Sequence, residues 1–167
     1  MKLVDAYDAW GYTIFCDDIR VEIGHKLTYV GAYGGRMLVH SSFPVAIAKL
    51  CLGIVYYQRL SKVVMPIKIN VFLPGDPDEK PSVQAEMPPE ATQQAIDSAE
   101  ALASRANTEA ASGFVTANMQ LALTPLNISQ PGLIKVRAVR GDELIRLGTL
   151  AVEAATEAPQ LPIGPIP

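Results

Sequence analysis

An antiparallel β-sandwich of about seven to eight strands, immunoglobulin-like or C2-like, with one inserted amphipathic helix, is the architecture this sequence predicts. Three observations predict it. Short runs rich in β-branched and aromatic residues recur from Tyr12 to Val152, separated by Gly, Pro and Asp turns. Two runs alternate: Ile67, Ile69, Val71 and Leu73 are interleaved with Lys68, Asn70 and Phe72, and Val115, Ala117, Met119, Leu121 and Leu123 with Thr116, Asn118, Gln120 and Thr124. That is the period of a strand with one buried face. A single stretch, 90–106, abandons this pattern for Ala, Gln, Glu and Ser.

Taken in order, Trp10 is the only tryptophan, and its place near a terminus suits a plug at one end of the core, an exposed anchor being the alternative. Residues 12–16 form a first strand, stopped by Asp17 and Asp18, whose side chains compete for backbone donors. Gly24-His25 and Gly34-Gly35 are turn signals that open strands over 26–31 and 36–40, expected to pair as a hairpin or to lie as adjacent edges. Residues 45–57 are apolar at both parities; Gly53 and the β-branched Val45, Ile47, Ile54 and Val55 favour a doubly buried strand over a buried helix. Pro74, Gly75 and Pro77 end the strand that begins at Ile67, and 82–86 is a short edge strand. In the 90–106 helix, Ala95, Ala99, Leu102 and Ala106, flanked by Ile96 and Ala103, fall on one thin apolar stripe, suited to a sheet edge or a partner chain, a loosely attached surface insertion being the equal alternative. The last two strands, 133–139 and 144–152, join through Arg140-Gly141-Asp142-Glu143 as an antiparallel hairpin.

The 167 residues suit one core: a domain over 1–153 carrying the helical insertion, then an arm over 154–167 whose prolines favour an extended, internally unbonded chain. With 49% hydrophobic and 19% charged residues, the chain is folded, and its apolar excess calls for a tight interior or an apolar interface. A net charge of −3 speaks against nucleic-acid binding while leaving room for a small basic patch. No apolar run precedes the first acids, and the longest one, 43–57, is broken by Pro44 and Lys49 and falls short of the ~20 residues of a membrane span. The expectation is a cytoplasmic protein, or one made there and incorporated into a virion, with no membrane partner. Cys16 and Cys51 are expected as buried free thiols, with one disulfide as the alternative.

The run Phe15-Cys16-Asp17-Asp18-Ile19-Arg20, then Glu22, Gly24, Lys26-Leu27, Val30-Gly31 and Tyr33-Gly34-Gly35, followed by Phe43-Pro44 and Lys49-Leu50-Cys51, resembles the opening of an uncharacterised family of small bacterial and phage-encoded β proteins. The likeness covers the first third to half of the chain, with a looser match in the closing hairpin. It implies a β fold and no particular chemistry.

The groups that could carry chemistry read better as structure. Asp17, Asp18, Asp76 and Asp78 lack the dense Asp-x-Asp-x-Asp spacing of a calcium loop and read as turn acids. His25 and His40 with Cys16 or Cys51 match no zinc template, and as a thiol–imidazole pair they would need contact that sequence does not show. Arg140-Gly141-Asp142 spells an adhesion tripeptide but has the composition of a hairpin turn, and Gly31 to Gly35 precedes a strand where a phosphate cradle requires a helix. No catalytic, cofactor-binding or metal residue is therefore assigned, and no cofactor. The expected role is non-enzymatic binding or assembly: a structural subunit of a larger complex such as a phage virion, meeting other copies or a scaffold through the arm and the Ala-rich helix. The alternative is a monomeric bacterial or phage regulator that sequesters a small molecule, or inhibits an enzyme partner, through loops and a pocket ringed by Tyr29, Tyr33, Tyr56 and Tyr57.

Overall fold

Where apolar and polar residues alternate the chain runs as strand, and the computed structural model, which describes residues 2–3, 8–59, 63, 66–105 and 114–155, is mainly β. In chain order the elements are β1 (Lys2–Leu3), β2 (Ala9–Cys16), β3 (Asp18–Val21), β4 (Leu27–Val30), β5 (Arg36–Val39), β6 (Val45–Ile47), β7 (Leu50–Arg59), β8 (Ile67–Phe72), β9 (Val83–Glu86), α1 (Pro89–Arg105), β10 (Phe114–Leu123), β11 (Leu126–Ile128), β12 (Gly132–Arg140) and β13 (Glu143–Ala154). Thirteen strands among the described residues replace the seven to eight expected. Much of the surplus comes from β1, β3, β6 and β11, segments of two to four residues that are too short to show a period.

One sheet runs β1-β13-β12-β8-β9, with β5 beside β13 as well. A second runs β10-β7-β2, antiparallel throughout. Two small ladders, β3-β4 and β6-β11, complete the set. The closing hairpin forms as its sequence predicts, with Arg140 opposite Glu143 and Gly141 at φ 58° in the turn. The expected pairing of 26–31 with 36–40 does not form. The strand β4 folds back on β3 through Gly24 and His25, both at positive φ, while β5 runs parallel to the end of β13, which seats Met37 and Val39 in the core. The 45–57 segment is strand, as its β-branched content favours, interrupted between β6 and β7.

The buried faces of the two larger sheets share one core: Leu52, Ile54 and Tyr56 from β7, Ile69 and Val71 from β8, Ile134 and Val136 from β12, and Leu147 and Leu150 from β13. Each large apolar side chain of this set contributes roughly 1.5–3 kcal/mol. The sheets come closest where β2 passes β13. A Cβ at Gly11 would strike the Val55 carbonyl and Leu147 Cδ2, so glycine is what permits the approach.

The helix follows its sequence signal, opening on Pro89 with Glu90 in the first turn. It runs beside β10, an edge strand. The side chains of its stripe residues Ala95, Ala99, Leu102, Ala103 and Ala106 lie outside the described residues, as does residues 156–167 of the arm. Among the described residues no helix is long and apolar enough to cross a membrane.

Candidate binding surface

Strand parity divides the β10-β7-β2 sheet into two chemically different faces. Ala9, Phe15, Leu52, Ile54, Tyr56, Val115, Ala117 and Met119 are buried. On the other face stand Trp10, Tyr12, Val55, Tyr57, Phe114, Asn118 and Gln120. Trp10 and Tyr57 are register partners, and their rings stack at 4.1 Å with an interplanar angle of 13°. The Arg59 guanidinium lies 5.5 Å over the Phe114 ring. Trp10 and Tyr12 are each 42% exposed and Phe114 40%. Trp10 is therefore not the core plug expected of it. Its neighbour Ala9 takes the inward position, and alternation turns the indole out.

The β3-β4 hairpin leans over this face and explains Gly53 in the middle of β7. Any Cβ there would enter the Tyr29 ring. Tyr29 thus covers the outer side of β7 at Gly53, within a strand buried at both parities from Leu50 to Tyr56. Between hairpin and sheet lies a depression of about 580 Å³, lined by Tyr12, Val21, His25, Leu27, Tyr29, Val55, Asn118 and Gln120. Burial pushes the Tyr29 and Tyr57 phenols up, with the Tyr12 phenol adding in both cases. These rings accordingly stay neutral at neutral pH. The pocket ringed by Tyr29, Tyr33, Tyr56 and Tyr57 does not exist as expected. Tyr56 and Tyr57 are consecutive and so point to opposite faces: Tyr56 is fully buried, and Tyr57 is stacked on Trp10. Tyr33 is held by Asp17, and of the four only Tyr29 lines the depression.

At the end of β2 the chain turns a corner built from polar pairs. Tyr33 donates its hydroxyl hydrogen to Asp17 at 2.6 Å, and Lys49 donates to Asp18. Tyr33 is pushed up to about 12, first by burial and then by the hydrogen bond to Asp17 and its charge. The bond to Lys49 holds the Asp18 carboxyl below its ordinary value. Gly31, at φ 65°, leaves room for the Asp17 carboxylate, which a side chain there would hit.

Beneath this corner Cys16 and Cys51 stand opposite one another in the β2-β7 register, both buried and both free, as the free-thiol expectation has it. Cys16 Sγ lies 3.8 Å from the Cys51 carbonyl oxygen. Burial, then Cys51 and Asp17, push the Cys16 thiol up. The protonated thiol is the form this site holds at neutral pH, whereas nucleophilic and metal-binding chemistry needs the thiolate.

The remaining sequence candidates are dispersed. His25 is at the tip of the β3-β4 turn and His40 is an exposed residue after β5. Asp76 accepts the backbone N–H groups of Leu73 (2.8 Å) and Ser82 (3.0 Å), the turn role assigned to it. Asp78 bridges Lys135 and Arg137. Among the described residues no three His, Cys, Asp or Glu side chains come together. Arg140 of the adhesion-like tripeptide is only 3% exposed and donates to Glu143 and Gln58, so the motif is folded inward. The segment from Gly31 to Gly35 leads into strand β5, without a helix behind it.

Set against protein-family models, curated proteins and solved structures, the chain has no match. The exposed aromatic face was legible only in part beforehand: the alternation of 114–123 was plain, but which parity faces solvent on β2 is set by its neighbour.

Proposed function

We propose that this chain is a non-enzymatic binding and assembly protein whose contact surface is the outer, aromatic face of the β10-β7-β2 sheet. In this reading the two larger sheets act as the facing layers of an antiparallel sandwich, immunoglobulin-like or C2-like, with that face turned outward. The observation that carries it is the Trp10–Tyr57 stack flanked by the half-exposed Tyr12 and Phe114. Contiguous aromatic surface of this kind is uncommon on monomers, whereas Trp, Tyr, Phe and Arg are the residues that dominate interface cores. The partner is a further copy of the chain within a larger complex, of which a phage particle is one example. A net charge of −3 puts little repulsion between copies.

Light scattering on the purified chain over a concentration series tests this. Self-association is expected, lost in a Trp10→Ser/Phe114→Ser variant whose circular dichroism is unchanged. Removing residues 154–167 asks separately whether the arm contributes. A wild-type chain that stays monodisperse and monomeric at every concentration removes the reading.

A second reading, a monomeric regulator that holds a small molecule, is favoured by one observation, the depression under Tyr29. Its lining sets Val21, Leu27 and Val55 beside the amides of Asn118 and Gln120, which offers a ligand both apolar contact and hydrogen-bonding groups. Native mass spectrometry should then show an added mass on the wild-type chain that Tyr29→Ala loses. An unadorned wild-type mass argues against it.

A further inference from the structure

A second, basic depression lies at the β12-β13 pair. It has a volume of about 560 Å³, and Lys135, Arg137, Arg146 and Thr149 line it together with Val136, Leu147, Gly148 and, from β2, Gly11. Arg146 and Thr149 are three residues apart, and in a regular strand they would point to opposite faces. Both are nevertheless exposed. The reason is a bulge. The register passes from Val136↔Gly148 to Arg137↔Arg146, so Leu147 is an extra, unpaired residue that drops into the core. Gly148, at φ 147°, accommodates the irregularity. Inserting one residue changes the parity, and Arg146 and Thr149 come to share a face with Arg137 and Lys135, their respective register partners. Bulges that re-aim side chains in this way are over-represented beside functional sites.

The consequence is an adverse placement. Arg137 and Arg146 stand directly opposite each other on adjacent strands, and like charges so placed destabilise a sheet. Asp78, 63% exposed, offsets part of this, accepting from Lys135 at 3.0 Å and from Arg137 at 2.9 Å. Both cations also lie over the Phe72 ring, at 5.5 Å and 4.6 Å. Arg146 has no ion-pair partner among the described residues. The Asp78 carboxylate therefore pairs with two of the three cations, in a chain whose net charge is negative.

From this juxtaposition we propose that the depression is a binding site for the phosphate group of a small organic molecule. The two arginines and Lys135 supply charge-assisted donors, and the Thr149 hydroxyl supplies one more. The volume admits a ligand of mononucleotide size, so the phosphate engages the cations while the rest of the molecule occupies the remaining space.

Isothermal titration of the full chain with AMP, inorganic phosphate and adenosine, at low and at raised salt, tests the assignment. AMP is expected to bind, more weakly as salt rises, and adenosine is not. Phosphate binding as tightly as AMP would still support the cation site and would show that the organic part adds nothing. Arg146→Gln is expected to weaken AMP by at least about tenfold. Lys26→Gln, which removes an equal charge from the β3-β4 hairpin, should leave binding unchanged. Both positions are exposed, and thermal melts without ligand confirm that each variant folds. The proposal is overturned if neither AMP nor phosphate binds, if adenosine binds as well as AMP, or if Lys26→Gln weakens AMP as much as Arg146→Gln does.

Discussion

Gly53 and Tyr29 show how one missing side chain organises the aromatic face. At Gly53 the outer side of β7 receives a ring, and the ring belongs to Tyr29 of the β3-β4 hairpin, which is in no ladder register with β7. Replacing Gly53 with Val is expected to displace Tyr29 and lower stability by about 1–3 kcal/mol, the usual cost of overpacking. Urea denaturation of Gly53→Val, alone and combined with Tyr29→Ala, checks this. The double variant should recover part of the loss, and a Gly53→Val chain as stable as wild type would contradict the packing described. The phenols make a second residue-scale expectation. Tyr33 and Tyr56 are pushed up to about 12 from 10.0, in both cases mainly by burial. The fold thus favours the neutral form of each, and the stability so contributed is complete below pH 10 and drains away as pH rises through about 12. Alkaline unfolding should follow that window, with Tyr33→Phe showing a shallower decline than wild type. Identical profiles for the two proteins would count against the Tyr33–Asp17 bond as a source of alkaline sensitivity.

At the level of elements, the β12-β13 hairpin combines a regular turn with an irregular ladder. Arg140 at its end is a buried charge joined to Glu143 and Gln58, and this fixes the hairpin against β7 of the other sheet. The bulge in its middle depends on Gly148, whose φ of 147° other residues rarely adopt. Gly148→Ala should therefore cost about 1–3 kcal/mol in chemical denaturation, although a methyl group there would meet Thr13 and Phe15 only at ordinary contact distances. An alanine variant of unchanged stability would mean that the ladder can relax its register without penalty. The helix contrasts with this. It is held locally by its first-turn Pro89 and Glu90 and by a Gln93–Asp97 hydrogen bond one turn apart, at 2.9 Å, contacts that any isolated helix of this sequence would share.

Over the whole molecule, position in the sheets sets the order of protection. Strands β7 and β12 are paired on both sides, whereas β9 is an edge strand and β3-β4 is a separate two-stranded ladder. Backbone amides of β7 and β12 should exchange with solvent most slowly, and those of β9 and β3-β4 fastest, in a hydrogen-exchange measurement on the native chain. Uniform exchange across the strands would contradict this ranking.

Period and composition alone determined the mainly β class, the limits of α1, the alternation of β8 and β10, and the β12-β13 hairpin, because side-chain parity, proline and turn glycines act over a few neighbouring residues. The same local rules could not say that β5 joins β13 or that Leu126 to Ile128 meets β6, since such partners are chosen by fit across long loops, and β3, four residues long, is too short to announce its pairing with β4. Nor could they orient the aromatic face. Trp10 and Tyr57 were both visible as aromatic residues, but their stacking required β2 and β7 to settle into one register, which the core on the far side of the sheet enforces. The gathering of Lys135, Arg137, Arg146 and Thr149 was hidden for the opposite reason. Regular parity separates Arg146 from Thr149, and only the unpaired Leu147, drawn into the core by its own burial, puts them side by side.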